Sequence, residues 1–265
     1  MNSPLRDFLI LVLIAAGLFA AIYIWISARS DTTEDRSPEE ASIFSTDFKL
    51  RLADSFEEQL TFIENDYTRE FEEVIRQRFT PFLKGDSGVM EIRIVQGNQV
   101  NAFTTVGDRI YLYRGLITDV DDMHMIAAII AHELGHIHHR HVEERLKVDL
   151  GTSLIMSILT GGNQGMILEL SRTMMNLTFS RAQENEADEF AIHLLEQADL
   201  HPQYLSQAFL RMKTLSSRSD IVPFLSTHPS LEERIKRIME HEIKEDFEER
   251  RLQFSWQEFI RSLNE

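Results

Sequence analysis

Two histidines four residues apart, with a glutamate between them, are the first residues in this sequence whose types and spacing could perform chemistry. They belong to the motif H-E-L-G-H at residues 132–136. On a helix this spacing puts both imidazoles on one face, one turn apart, where His132 and His136 could grip one ion. Glu133 projects beside them and could hold a metal-bound water. Because such a motif also arises by chance, it predicts a metal site only as a hypothesis.

Three further histidines follow the motif, at positions 138, 139 and 141. If the helix continues, His139 lies near the face of the pair and could line the cleft, although a histidine there is more often only a neighbour, and His141 points the opposite way. The metzincin pattern requires Gly three residues after the second motif histidine and His three further on. Those positions hold His139 and Val142, which excludes that class, so a third ligand must come from elsewhere.

The best source of a third ligand is the segment at residues 180–188, which is predicted to open another helix. Glu184 and Asp188 are four residues apart and share one face. One carboxylate could bind the metal, and the other could accept the free N–H of a ligating histidine. Glu186 lies away from that face. The alternative is an ordinary solvated acidic helix start, which the helix dipole also favours.

Composition limits the kind of site and partner. The sequence has no cysteine, so disulfides and thiolate metal sites are excluded and any metal must be held by His, Asp or Glu. The formal net charge of −16 is spread along the 265 residues. A surface of this kind argues against nucleic acid as the main partner, because phosphate binding needs clustered Lys and Arg.

The N-terminal residues predict a membrane anchor over 1–29. Residues 8–26 carry no charge, and about 20 apolar residues suffice to cross a bilayer core. A cleaved signal peptide is the alternative, but its apolar region is usually shorter, about 7–15 residues. Arg6 and Arg29 flank the segment on opposite sides and leave the orientation nearly open. We expect the N-terminus inside and the bulk of the chain exported, as a single-pass membrane protein.

The rest of the chain predicts an α+β fold, mainly helical, with a small sheet or hairpin. A polar linker is predicted over residues 30–43, and one domain over residues 44–241. Residues 242–265 are predicted to form a charged C-terminal helix, about Ile243 to Leu263. Helical spacing over 44–82 predicts one or two amphipathic helices. Alternation over 89–117 predicts strands, with turns at Gly97 and Gly107, and 123–148 predicts one helix. The apolar stretch 150–170 indicates a buried helical hairpin, with a mobile lid or a lipid contact as alternatives.

Four ordered motifs together resemble the family of the HtpX protease and the CAAX prenyl protease. They are N-A-F, G-D-R-I-Y and R-G-L within residues 101–116, H-E-L-G-H, S-R-x-x-E-x-x-A-D at 180–188, and H-P followed by R-I within 228–235. Four motifs in order are far more specific than one. The layout looks like that of the single-anchor BepA-type and mitochondrial OMA-type members, without the tetratricopeptide tail of the former. The turn at residues 104–108 departs from the family's small-Pro-Gly-Gly version.

The resemblance implies a zincin-like metallopeptidase that holds one Zn2+ through His132, His136 and Glu184. It implies Glu133 as the catalytic base, Asp188 behind the ligands, and His228 near the cleft.

We expect Glu133 to activate a zinc-bound water. His228 could donate to the developing oxyanion, swing onto the metal in a resting state, or simply begin a helix. Arg234 could tether the Asp188 region or lie at the surface.

Substrate is expected to be an unfolded or membrane-associated polypeptide. It would add as an extended strand beside Asn101, Ala102, Phe103 and Thr104, since backbone pairing gives affinity with little side-chain selectivity. Such low selectivity for the substrate's side chains suits protein quality control. The competing hypothesis is a membrane-anchored chaperone or adaptor that retains the metal site for structure. The sequence leaves the oligomeric state open.

Overall fold

The computed structural model describes residues 44–83, 91–151, 155, 164–174, 177–216 and 223–265. Its strands are β1 Glu91–Val95, β2 Ala102–Thr104 and β3 Arg109–Tyr113. Its helices are α1 Thr46–Glu57, α2 Asp66–Phe79, α3 Arg114–Val120, α4 Met123–His138, α5 His141–Leu150, α6 Gln164–Met174, α7 Arg181–Gln197, α8 Gln203–Ser216, α9 Phe224–Thr227, α10 Leu231–Met239 and α11 Trp256–Ser262. The predicted α+β class, mainly helical with a small sheet, is confirmed.

The predicted anchor and linker at residues 1–43 lie outside the described residues. Within the ranges given above, no helix is both long enough and apolar enough to cross a membrane.

The two amphipathic helices predicted before the sheet are α1 and α2. The side chain of Ser45 accepts from the backbone N–H of Phe48 and so caps α1. A reciprocal capping box between Asn65 and Thr68 starts α2. The helix ends at Phe79, close to the proline at position 81 that was expected to end it, and a 3-10 turn, Thr80–Phe82, follows.

The sheet has the order β1-β3-β2, with β1 parallel and β2 antiparallel to β3. The predicted hairpin is therefore β2–β3, and Asp108 adopts a φ of 58° in its turn. The strand prediction was wrong over residues 114–117, where α3 begins. A β-carbon on Gly115 would lie 2.4 Å from the backbone of Asn98, so a residue without a side chain is needed for α3 to start here.

The predicted helix 123–148 is two helices. Asp122 caps α4 through the backbone N–H groups of His124 and Met125. Arg140 adopts a left-handed φ of 55°, which ends the first helix and redirects α5. Between Ile126 and Ile137 every residue of α4 is buried, so this helix runs through the core.

The apolar stretch 150–170 is only partly described, because 152–154 and 156–163 lie outside the described ranges. At its end, Leu170 of α6 packs in one buried cluster with Phe48 and Leu52 of α1. Whether the whole stretch forms a hairpin or a lid stays a prediction.

The predicted helix from Ile243 to Leu263 was wrong over most of its length, because only α11 is helical there. In the segment before α11, backbone N–H groups form hydrogen bonds with residues of other elements instead. Arg250 N donates to Asp199 O at 2.8 Å, and Leu252 N donates to His124 Nε2 at 3.2 Å. Leu252 and Phe259 enter the main core. These long-range contacts outweigh the local helical preference of a charged segment.

Candidate metal centre

The centre forms where α4 and α7 approach each other closely. A β-carbon built on Gly135 would lie 2.7 Å from the carbonyl oxygen of Ala187. The glycine of the first motif therefore faces the alanine of the second. Because glycine has no side chain, the helix face that carries the two histidines can approach the helix face that carries Glu184 and Asp188.

His132 and His136 lie on one face of α4, as their spacing predicted. Both are fully buried, and their Nε2 atoms are 3.1 Å apart. Phe179 stacks on the His136 ring with a centroid distance of 3.9 Å. Burial lowers the pKa of His136 well below its ordinary value, so this imidazole is neutral and its nitrogen lone pair is free for a metal.

Glu184 enters the same space from the first turn of α7, which Ser180 caps through a capping box with Gln183. Its Oε1 lies 3.6 Å from His136 Nε2, and its Oε2 lies 3.7 Å from His132 Nε2. Burial alone would raise the pKa of Glu184, but its contacts with His228 and Arg234 lower it overall. The carboxylate is therefore ionised, as a ligand must be.

Asp188 lies one turn further along α7, behind His132. Its Oδ1 is 3.1 Å from His132 Nδ1, so the carboxylate faces the nitrogen that points away from the centre. Burial alone would raise the pKa of Asp188. Its pairing with Arg234 and His132 outweighs burial and lowers this pKa below the ordinary range.

Arg234 of α10 binds Asp188 through two hydrogen bonds, Nη2 to Oδ1 at 2.7 Å and Nε to Oδ2 at 2.8 Å. It also contacts Glu184 and lies over the Phe209 ring at 4.5 Å. With an exposure of 1% it is not a surface residue. Arg237, one turn on, reaches Asp188 Oδ2 at 2.8 Å; sequence reasoning missed it, although the i+3 spacing from Arg234 was a signal.

Glu133 has a carboxylate without a partner. Both oxygens are buried and make no hydrogen bond within the part of the chain that the structure describes. Burial raises its pKa to about 7. An unpartnered buried carboxylate is costly unless a ligand or water completes its bonding.

His228 follows α9 and lies inside the centre, not merely near it. Its Nδ1 is 3.0 Å from Glu184 Oε1 and 3.3 Å from His132 Nε2. Its Nε2 is 3.7 Å from Glu133 Oε1. Phe224 stacks on its ring with a centroid distance of 4.1 Å. The residue does not begin α10, which starts at Leu231 after Ser230.

The predicted direction of His141 was wrong. His141 is buried and contacts His136, with their Nδ1 atoms 2.9 Å apart, and its Nε2 lies 3.0 Å from Glu186 Oε2. The helical angle failed because Arg140 breaks the helix. His139 is half-buried beside His141 and is outside the group that surrounds the motif pair.

The predicted substrate segment, residues 101–104, is buried next to α4, and β2 lies at one edge of the sheet. Along the other edge, Phe62 bridges to Val95 of β1. Among described residues, therefore, the outer side of β2 is where a further strand could pair.

The donor set fits a metal ion. One ligand atom from each of His132, His136, Glu184 and His228 lies within 4.8 Å of the others. Ions held by bonds of about 2.0–2.1 Å to imidazole place tetrahedral ligand atoms about 3.3 Å apart, close to the separation of the two Nε2 atoms.

Comparison with known proteins agrees with this centre. Residues 63–242 match the model of peptidase family M48, so the chain belongs to that family, and the family predicted from the four motifs is confirmed.

The chain is 30% identical to Metalloprotease LoiP of Escherichia coli over 55% of this chain and 60% of the relative. It is 29% identical to Mitochondrial metalloendopeptidase OMA1 of Schizosaccharomyces pombe over 57% and 46%. It is 21% identical to the Beta-barrel assembly-enhancing protease of Escherichia coli over 89% and 52%. The chain thus spans about half the length of these curated relatives.

Proposed function

We propose that the chain is a zinc-dependent endopeptidase in which His132, His136 and Glu184 hold the metal and Glu133 is the general base. The observation that carries this proposal is the convergence of two imidazoles and one carboxylate beside a buried carboxylate that has no hydrogen-bond partner among the described residues. Three protein ligands and one open position are typical of catalytic zinc sites, whereas structural sites are closed by four.

The choice of zinc follows from the donor chemistry. Two imidazole nitrogens and one carboxylate oxygen form a ligand set common to zinc peptidases, and with no cysteine in the sequence the softer thiolate-bound metals are disfavoured. Asp188 faces the outer nitrogen of His132 at 3.1 Å. It would hold the proton there and keep Nε2 available as a ligand.

When bound, zinc supplies a Lewis acid that polarises the scissile carbonyl and lowers the pKa of water. Glu133 takes the proton of the attacking water and passes it to the leaving amine. In the metal-free protein burial raises the pKa of Glu133 to about 7, and a carboxyl that titrates near neutral pH can both accept and release a proton.

His228 has two roles that its contacts support. Its Nδ1 lies within 3.3 Å of atoms of His132 and Glu184, which favours a resting state in which this imidazole shares the metal. Its Nε2 lies 3.7 Å from Glu133, so a small movement of the ring would let it donate to the oxyanion that develops during attack. Release of His228 from the centre would then accompany substrate binding.

We infer that the substrate is an extended polypeptide that pairs with the outer side of β2. The edge position of this strand and its packing against α4 would put a paired backbone next to the motif helix. Pairing through main-chain groups suits unfolded or membrane-associated proteins of varied sequence. A relative named for enhancing β-barrel assembly is consistent with such quality control.

The proposal includes attachment to a membrane through residues 8–26, with the peptidase domain on the exported side. Its support is the uncharged apolar run in the sequence, which is long enough to span a bilayer.

The test is cleavage of unfolded casein by the purified chain before chelation, after chelation, and after zinc is restored. We expect cleavage to stop on chelation and to return with about one equivalent of zinc. Cleavage that survives removal of all metal would contradict the proposal. Stoichiometric zinc binding without cleavage of any unfolded protein would favour the chaperone or adaptor hypothesis.

A further inference from the structure

His141 is a buried imidazole behind the metal centre that the reaction proposed above does not use. It lies on the side of His136 that faces away from His132, at the start of α5, with its side chain 1% exposed. Among the described residues, each of its two nitrogens has one neighbour at hydrogen-bond distance: Nδ1 is 2.9 Å from His136 Nδ1, and Nε2 is 3.0 Å from Glu186 Oε2. His136, His141 and Glu186 thus form a chain that leads outward from the centre.

One arrangement of protons satisfies all three groups. His136 directs Nε2 toward His132 Nε2 at 3.1 Å and Glu184 Oε1 at 3.6 Å, so Nε2 is its ligating nitrogen and the ring proton is on Nδ1. That proton is donated to His141 Nδ1, which must therefore be an acceptor. His141 then carries its own proton on Nε2 and donates it to the Glu186 carboxylate.

We propose that His141 and Glu186 are positioning residues that fix the tautomer and orientation of His136, an inference that rests on the proposed function. The arrangement parallels the one behind the other histidine, where Asp188 faces His132 Nδ1 directly at 3.1 Å. The outer nitrogen of each motif histidine is therefore linked to a carboxylate. His132 faces Asp188 directly, and His136 reaches Glu186 through His141. Partners of this kind hold a ligand ring in place and raise its basicity.

The competing interpretation is a separate ion held by His139, His141 and Glu186, whose donor atoms also converge. An ion on His141 Nε2 would displace the proton of that nitrogen to Nδ1. Two N–H groups would then face each other across 2.9 Å, unless His136 gave up its own tautomer. The geometry therefore favours positioning over a second ion.

The test measures zinc affinity and the visible spectrum of the cobalt-substituted protein in variants that remove or preserve each contact. His141→Leu removes both ring nitrogens, whereas His141→Gln keeps an acceptor and a donor. Glu186→Ala removes the terminal acceptor, whereas Glu186→Gln keeps one. Because half of the Glu186 side chain is exposed, its variants are not expected to disturb folding. Glu189→Ala, at an exposed position of α7, is the matched control.

We expect zinc affinity to fall about 10–100-fold in His141→Leu and about tenfold in Glu186→Ala. The cobalt spectrum should shift in both variants, with most of each change recovered in the glutamine variants and none seen in the control. The inference is overturned if affinity and spectrum are unchanged in His141→Leu and Glu186→Ala. It is also overturned if the wild type binds a second zinc equivalent that His139→Ala and Glu186→Ala abolish.

A further variant separates this inference from the function on which it rests. Loss of zinc from His136→Ala, together with unchanged affinity in His141→Leu, overturns the positioning role alone. Retention of zinc by His136→Ala overturns the proposed metal site and the positioning role with it.

Discussion

Gly135 of α4 faces Ala187 of α7 so closely that a β-carbon on the glycine would lie 2.7 Å from the alanine carbonyl oxygen. This contact sets the distance between the helix that carries the two histidines and the helix that carries Glu184 and Asp188. The glycine of one motif is thus tied to the alanine of the other, because bulk at position 135 would separate the donor atoms.

Gly135→Ala is therefore expected to destabilise the protein although alanine is the better helix former. In an open helix the change would stabilise by about 1 kcal/mol, but here the helices must move apart, at a cost of about 1–3 kcal/mol. Urea unfolding and zinc titration check both consequences, since zinc affinity should fall as well. Gly165→Ala, at an exposed position of α6, is the control and should be neutral or stabilising. Unchanged stability and affinity in Gly135→Ala would contradict the close contact.

Glu184→Ala is expected to lose zinc. The variant removes the only carboxylate of the proposed ligand set and leaves two imidazoles, which hold the ion far more weakly. Metal analysis after dialysis against a weak chelator should show well below one zinc per chain, while Glu189→Ala retains it. Zinc content equal to that of the wild type would remove Glu184 from the ligand set.

Arg234→Met is expected to destabilise the fold strongly. The side chain is almost fully buried and balances Asp188 and Glu184, and removing one partner of a buried ion pair costs about 3–5 kcal/mol. Arg237, whose side chain is 36% exposed, binds the same carboxylate, so Arg237→Met should cost about 1 kcal/mol. Denaturant unfolding of the metal-free proteins measures both values. Equal, small losses in the two variants would contradict the structural role assigned to Arg234.

The stability of the metal-free protein is expected to depend on the pH through Glu133. Burial raises the folded pKa from 4.5 to about 7, so between these values the folded chain binds more protons than the unfolded chain. The stability that Glu133 contributes is therefore fully present below about pH 4.5, and it is lost as the pH rises through about 7.

Glu133→Gln removes that dependence. Relative to the wild type, the metal-free variant should gain stability between pH 4.5 and pH 8, by at most about 3 kcal/mol. Thermal unfolding of both proteins in chelator across this range is the measurement. A constant difference at every pH would show that Glu133 does not titrate as a buried, unpartnered carboxyl.

The two halves of the centre were predictable because each lies within one uninterrupted helix. His132 with His136, and Glu184 with Asp188, are four residues apart, and helical geometry alone brings each pair onto one face. The meeting of the pairs depends on the packing of α4 on α7, which spacing does not encode. For that step the sequence offered only the resemblance carried by the ordered motifs.

The position of His141 could not be predicted from helical periodicity. The helical angle placed it opposite the pair, but the left-handed conformation of Arg140 turns the chain and brings the imidazole back to His136. A non-glycine residue in that conformation is uncommon, and nothing in its local sequence indicates it. The parallel pairing of β1 with β3 and the irregular path before α11 likewise depend on contacts between distant residues.

The most direct test of the central claim compares Glu133→Gln with the wild type in two assays on the same preparations. Metal analysis should find about one zinc per chain in both proteins, because the proposed base is not a ligand. Cleavage of unfolded casein should fall by a factor of about 100 or more in the variant, the contribution typical of a positioned general base. Casein cleavage at the wild-type rate by a zinc-loaded Glu133→Gln protein would contradict the account.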